Sequence, residues 1–569
     1  MGTRAPRSVA DDIRSRSVEQ LQMLLLNRPD VVTPLPADLT ELATRVTNPT
    51  SVRMALDNLD SRQLALLHEL RTHSGVGSLT TLIQDREIEP DQLQELWDRA
   101  LLWGQPPSDP GAALFVAGPV RTILDEAFGR GAAAGDEEDG EAVSHDQLQE
   151  TASEPEEIVT VAVTGFNESG QVDASQVAMH AVILVDDVAH WIRSARPSFR
   201  KGGGIGVREL TSLSNELELE ANQAGFWLEL SAQAGFLGLA ATDSWGSEFE
   251  VVLTESFDAW SRLSFVEQWL ELSRVWSTTD LASQLINTEN FEGERINALS
   301  GKAKLPVSLS VRMAVLRALS KVNAGHGLRE SGIQQVAGQR YPRLDPSIRQ
   351  EVVKQAVTEG QWLGVVAHTR ATGEEDTLFL TELGRTWMES RVLGDEVDRD
   401  HKAVAMQFPA EVDQVITQAD MTFVVPGPPA PELRCLLGLI ARRESTGGAT
   451  VYRLTPETLR TSVAVGADPR EVLAELEGKS LTPIPQPMQY LVSDAIKSAS
   501  VAEDDSDADG NGEVGPGTTT PNRAQRSLDG YLAAVGNSKA GFGVPLSPDR
   551  AQELAATLWQ AQQDKTANR

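Results

Sequence analysis

Residues 131–157 contain ten carboxylates (Asp136, Glu137, Glu138, Asp139, Glu141, Asp146, Glu150, Glu154, Glu156 and Glu157) and not one Lys or Arg. A core cannot be built across such a stretch, because like charges repel and too little apolar surface is present to offset the entropy of ordering the chain. It reads as a solvated linker, the alternative being an acidic mimic of nucleic acid. A second tract, residues 498–520, repeats the pattern with Glu503, Asp504, Asp505, Asp507, Asp509 and Glu513. The two tracts hold sixteen of the 32 excess negative charges, so the segments that fold are only mildly acidic. A chain of 569 residues exceeds one core, and three to five domains are expected on either side of these linkers.

The rest of the composition narrows the class. With 40% hydrophobic and 23% charged residues the chain is globular. No apolar run approaches the ~18 residues of a membrane helix, and Met1–Arg16 lacks the apolar segment of a signal peptide, so a cytoplasmic protein, free or nucleoid-associated, with no membrane partner is expected. The single Cys435 excludes an internal disulfide and any multi-cysteine zinc site; its place in a predicted helix suggests a buried, inert thiol.

The pattern along the chain predicts a mainly α fold with small β elements. Residues 1–60 carry apolar stripes, Leu21, Leu24, Leu25 and then Leu39, Leu42, Val46, as expected of a helical module. In 61–130 the order is helix (Leu64, Leu67, Leu70), a break at Gly75-Val76-Gly77, helices over 79–83 and 91–102, and a strand at Ala113–Val116. Three helices closed by a strand or hairpin outline a winged helix. The outline returns in 158–300, with a strand near Ile158–Val163, a helix around His180–Ile192, further helices from Gly206 and over 217–234, and a hairpin of Leu237–Ala241 with Glu248–Leu253. It returns again in 301–395, with helices over 311–319, 333–337 and 346–358 and strands over 362–367 and 377–380. The last two copies share a closing signature, Leu253-Thr254-Glu255 with Trp260 and Leu380-Thr381-Glu382 with Trp387, which supports an internal repeat. Beyond the second acidic tract, residues 521–569 read as a helical tail.

Residues 410–495 form a denser α+β segment. An apolar run, Val415–Val425, is closed by Pro426-Gly427-Pro428-Pro429, and a helix from Pro431 is expected to run to Gly447-Gly448. A strand at Ala449–Leu454 and helices starting at Thr455-Pro456 and Asp468-Pro469 follow. With Gln418-Ala419-Asp420, Val425-Pro426-Gly427-Pro428, Tyr452-Arg453-Leu454-Thr455 and Pro483-Ile484-Pro485-Gln486, this order resembles the accessory domain of XPB-like helicases. The same domain occurs in actinobacterial helicase-associated proteins that lack a motor, and residues 15–390 are laid out like their longer members. The resemblance implies tandem winged-helix-like modules followed by a small accessory domain, in a protein of DNA repair, replication or transcription.

Enzymatic motifs are not found. A helicase motor needs a phosphate loop, whose nearest string here is Gly478-Lys479-Ser480; Leu473 stands where its first glycine belongs, at the end of a predicted helix. Asp125-Glu126-Ala127-Phe128 resembles the acidic box of helicases without a phosphate loop upstream. Gly202-Gly203-Gly204-Ile205-Gly206 does not fit a dinucleotide fingerprint, and eight scattered histidines supply no metal-binding spacing. No cofactor, metal or catalytic residue is expected.

The binding candidates are basic. Arg193, Arg196, Arg200, Lys201 and Arg208 run with no acid between them, interleaved with glycines that would let the backbone approach phosphates, and a helix start near Gly206 would add an anion-binding end. The plain reading is a surface loop before a helix. Arg312, Arg317, Lys321, Arg329, Arg340 and Arg343 form a looser group, and Arg434, Arg442, Arg443, Arg453 and Arg460 lie among acids, where interface salt bridges explain them equally well. The first expectation is a non-catalytic protein that binds DNA, a helicase or another protein of DNA metabolism. The alternatives are a protein–protein scaffold, since fold alone does not give function, and a helicase or ATPase subunit.

Overall fold

Short capped helices build the first of three hydrophobic cores. The computed structural model describes residues 7–32, 36–73, 90–109, 113–128, 160–163, 168–242, 248–289, 293–369, 375–392, 402–445, 449–464, 468–506 and 548–567. Helices α1 (Val9–Ser15), α2 (Val18–Asn27), α3 (Leu39–Val46) and α4 (Pro49–Asp57) start at Ser8, Ser17, Asp38 and Asn48, each of whose side chains accepts a backbone N–H of the first turn. Then come α5 (Ser61–His73), α6 (Pro90–Asp98), the hairpin β1 (Leu102–Gly104) and β2 (Leu114–Val116), and α7 (Gly118–Phe128). The stripes of α2 and α3 share one core with Leu64, Leu67, Leu70, Leu96 and Trp97, so residues 1–60 and 61–130 form one unit. Buried Arg16 joins them. It donates to Asp12 (2.9 Å) and to the Trp97 carbonyl (2.7 Å), and its guanidinium lies 3.7 Å over the Trp97 ring. The C-terminal helix, Pro548–Ala567, packs on α2 and buries Ala555 and Leu558 in the same core. The break at Gly75–Gly77, the helix over 79–83 and the tract 131–157 lie outside the described residues.

The second core is threaded by one long helix. After β3 (Thr160–Ala162), α8 (Glu168–Ala195) buries Ala178, Ala181, Val182, Val185, Val188 and Ala189, the spacing of a helix face. A unit follows: β4 (Ser198–Phe199), α9 (Val207–Leu217), α10 (Ala221–Gln233), β5 (Leu237–Ala241) and β6 (Phe249–Leu253), the strands ordered β4-β6-β5. Sequence places one helix from Gly206 and another over 217–234; the second begins only at Ala221, because the chain turns at Glu218, which adopts φ 54°. Helices α11 (Glu255–Ser261) and α12 (Phe265–Trp276) lead to a second unit of the same order: α13 (Pro306–Ser320), β7 (His326–Arg329), α14 (Glu330–Arg340), α15 (Pro346–Trp362), β8 (Val366–Thr369), β9 (Thr377–Leu380), then α16 (Glu382–Val392). Its sheet is β3-β7-β9-β8, so a strand from before the first of these units completes the second. Residues 158–300 and 301–395 thus share one core.

The repeat is visible in backbone hydrogen bonds. In all three units the helix before the hairpin ends at a residue of positive φ: Ala100 (53°), Gly235 (77°) and Gly364 (74°). The next N–H reaches back to the helix, Leu101 to Leu96 (3.0 Å), Phe236 to Ser231 (3.0 Å) and Val365 to Gly360 (2.8 Å), which is the Schellman closure. After the hairpin, Ala117, Thr254 and Thr381 donate to Leu101, Phe236 and Val365. The hydroxyls of Thr254 and Thr381 also donate to the Gly235 and Gly364 carbonyls at 2.6 and 2.7 Å, which explains the shared Leu-Thr-Glu. Ala117 has no hydroxyl, and the first unit accordingly lacks the signature in sequence.

The third core belongs to the C-terminal domain. Its sheet, β10-β11-β13-β12, comprises β10 (Ile416–Thr417), β11 (Thr422–Val425), β12 (Ala441–Ser445) and β13 (Thr450–Leu454), all antiparallel. Against it pack α17 (Pro431–Ile440), α18 (Pro456–Ala464), α19 (Pro469–Lys479) and α20 (Gln486–Ser506). The helix expected to reach Gly447 stops at Ile440, because Ala441–Ser445 is taken up by pairing with β13. Cys435 corrects a second expectation: it lies opposite the buried Leu433, Leu437 and Ile440 and is exposed, with desolvation pushing its thiol up. Helix α20 extends through Ser506 into the second acidic tract; residues 507–547 lie outside the described residues.

Candidate nucleic-acid interface

The glycine-rich stretch after α8 is organised by the protein itself. Gly203 and Gly204 have φ of 93° and 77° and are buried. The Ile205 N–H donates to the Ala298 carbonyl (2.9 Å), and a Cβ on Gly204 would stand 2.3 Å from that oxygen. These glycines therefore serve close packing against the loop at 297–300 and do not open the backbone to phosphate. The start of α9 is occupied as well: a Cβ on Gly206 would meet the Arg200 guanidinium at 2.2 Å and the Glu209 carboxylate at 2.4 Å. A carboxylate beside the free N–H groups disfavours a second anion there.

Of the cations in this stretch, Arg196 is bound to Glu250, which holds its guanidinium above its ordinary value, and Arg193 lies 4.0 Å from Asp258 and over the Phe257 ring at 5.3 Å. Arg200, Lys201 and Arg208 are exposed, the last at the rim of a shallow groove with Thr211, Asn215 and Glu216. The helix of this unit that a winged helix would insert into a groove, α10, is buried without a break from Ala224 to Gln233. Residues 281–289 and 293–305 supply its cover: Ile286 packs on Gly225, and Glu229, whose carboxyl burial pushes up to about 7, accepts the Leu299 N–H at 2.6 Å. Sequence gave no sign of this cover, since 281–305 carries no regular periodicity.

The next unit is different. Among its candidates Arg312 is corrected outright: it is 2% exposed, donates to the Trp276, Thr279 and Leu281 carbonyls (2.8, 2.8 and 3.2 Å) and pairs with Glu359 at 3.1 Å. Arg317, Lys321 and Arg329 are exposed. Arg340 and Arg343 lie at the end of α14 and in the turn to α15, paired at 3.4 Å with Asp60 and Asp57 of the N-terminal unit. Helix α15 exposes its first turns, including Ile348 (44%), Gln350, Glu351 and Lys354, while Arg349 lies half-buried against Gly338 of α14. Arg349 and Lys354 were not singled out from sequence. Counting forward from the helix start at Asp345-Pro346 would have found them.

The C-terminal domain is held on the second core by arginines. Arg434 is 7% exposed, donates to the carbonyls of Ser261 (3.0 Å) and Leu263 (2.8 Å), and lies 4.5 Å over the Phe265 ring. Arg442 bonds Glu216 at 2.7 Å, and Arg443 pairs with Asp187 on α8. Burial pushes the Asp187 carboxyl up to about 6 in spite of Arg443, with Asp186 and Glu216 adding to the rise. The same desolvation, with Arg443 and Arg442 beside them, lowers His180 and His190. A carboxyl raised above its ordinary 3.8 contributes most below that pH, and the contribution is lost as pH rises through about 6. The wild type should therefore gain urea stability relative to Asp187→Asn as pH falls from 7 to 4. A constant difference across that range would show that Asp187 does not titrate there.

The motor-like strings take structural places. Lys479 ends α19 with its ammonium 2.6 Å from both Asp413 oxygens, Ser480 donates to the Thr482 carbonyl, and Leu473 is buried. Asp125 lies on α7, paired with Arg71. Among the described residues no cluster of His, Cys, Asp or Glu could hold a metal ion, and no helix is long and apolar enough to cross a membrane. Residues 415–501, which cover the C-terminal domain, match a family described as the helicase conserved C-terminal domain. No curated protein matches the chain.

Proposed function

We propose that this chain is a non-catalytic, helicase-associated protein of DNA metabolism that binds DNA through the winged-helix-like unit at 306–380 and carries an XPB-like accessory domain. The observation that supports the reading best is the exposed first half of α15, flanked by Arg340, Arg343, Arg349 and Lys354. That is the position from which the third helix of such a unit meets a duplex, with cations placed for backbone phosphates. The likeness of residues 415–501 to a helicase C-terminal domain supports the link to helicase biology, and the structural use of Lys479, Ser480 and Leu473 supports the absence of a motor from this segment.

A scaffold role for the preceding unit is favoured by one observation, the continuous burial of α10. There the DNA reading for Arg193, Arg196, Arg200, Lys201 and Arg208 gives way to a surface for a protein partner, such as a helicase. The test is binding of single-stranded, duplex and forked DNA at low salt to two variants. Arg349→Gln/Lys354→Gln should weaken duplex binding by about tenfold, at roughly 0.5–1 kcal/mol per lost phosphate contact. Arg200→Ala/Lys201→Ala should leave it near wild type. The reverse ranking would move the site to the glycine-rich stretch.

A further inference from the structure

The N-terminal unit meets the second core beside the face assigned to DNA, and it does so with acids. Asp57, the last residue of α4, pairs with Arg343, and Asp60, immediately before α5, pairs with Arg340, both at 3.4 Å. These are loose attachments for arginine, whose planar fork favours two short parallel bonds to one anion. Arg340 keeps a buried Nε with no hydrogen-bond acceptor, and Arg343 reaches Asp57 only through its Nε, at the long 3.4 Å. Their side chains remain 39% and 19% exposed, and they precede the exposed start of α15 in the chain. The hydrophobic cores of the two bodies are separate clusters, so this contact is chiefly electrostatic. Two partly exposed ion pairs of this kind are weak and screened by salt.

We propose that the N-terminal unit is a built-in competitor for polyanion at this face: Asp57 and Asp60 occupy on Arg343 and Arg340 the places that two backbone phosphates take when DNA binds. A phosphate diester offers more acceptor directions than the carboxylates use here and can satisfy the idle Arg340 Nε and the guanidinium nitrogens that Arg343 leaves outside its single contact. The closed chain thus has a lowered DNA affinity, and occupancy by DNA releases the N-terminal unit from α14. This inference rests on the assignment of DNA to the unit at 306–380.

The variant Asp57→Asn/Asp60→Asn removes both charges while sparing the fold. Asp60 caps α5 by accepting the Gln63 N–H at 2.9 Å, and asparagine caps equally well. Fluorescence anisotropy with a labelled duplex at low salt, on the full chain, should show the variant binding about fivefold tighter than wild type. Adding Arg340→Gln/Arg343→Gln should abolish that difference. Small-angle scattering should show a larger maximum dimension for the variant, and for the wild type on saturation with duplex. Equal affinity of variant and wild type, with unchanged scattering, overturns the competition and leaves the DNA assignment standing. Failure of both proteins to bind duplex overturns the two together.

Discussion

Glu359→Ala should lower the unfolding free energy by about 3–5 kcal/mol, the cost of leaving a buried charge without its partner. The Glu359 side chain is fully buried and takes hydrogen bonds from Trp276 (2.8 Å), Arg312 (3.1 Å), Ser283 (2.6 Å) and Gln355 (3.2 Å). Those donors come from α12, the connection after it, α13 and α15, so one carboxylate ties the last repeat unit to the helix and connection that precede it. Its removal strands the Arg312 guanidinium, which is also buried. The double change Arg312→Met/Glu359→Leu should recover much of the loss, because neither charge is then left alone. Urea denaturation of the three proteins checks both statements. A single-variant loss below about 1 kcal/mol would mean that water reaches the site and the hub is not closed.

Arg434→Ala should detach the C-terminal domain from the second core at a cost of about 2–4 kcal/mol of docking free energy, as for truncation of a buried, hydrogen-bonded charge at an interface. Arg434 supplies the interface with two hydrogen bonds to carbonyls and a cation lying over Phe265, while the neighbouring pairs through Arg442 and Arg443 are partly exposed and weaker. In calorimetry the variant should show the C-terminal domain melting as its own transition, below that of the rest. A single unchanged transition would mean that the remaining contacts, including the Phe265 N–H to Glu411 at 2.7 Å, suffice.

The outline of the fold was legible wherever local signals set the structure. Leu237–Ala241 and Thr377–Leu380 are strands where alternation and turns placed them, and the Leu-Thr-Glu signature marks equivalent hydrogen bonds in two units. What sequence could not show is what tertiary contact decides. Arg312 looks like any exposed cation in sequence, yet it is drawn inward by three carbonyls and Glu359. The glycines at 203–204 read as freedom for a ligand and are packing against a loop almost a hundred residues away. Helix α10 stands where a groove-reading helix belongs until the stretches around Ile286 and Leu299 cover it. The strand at Ala441–Ser445 has a helix-like composition, and only its partner β13 makes it a strand. Arg340 and Arg343 were found as basic residues, but their partners Asp57 and Asp60 lie more than 270 residues earlier.

The central claim, that the unit at 306–380 meets DNA through a small set of cations, is tested most directly by titrating the full chain with duplex DNA across salt concentration. With Arg340, Arg343, Arg349 and Lys354 on phosphates, the logarithm of the association constant should fall linearly with the logarithm of salt, with a slope of about −3 to −4. Binding should be weak, as the net charge of −32 dictates. No binding at low salt, or binding whose strength does not change with salt, would contradict the account.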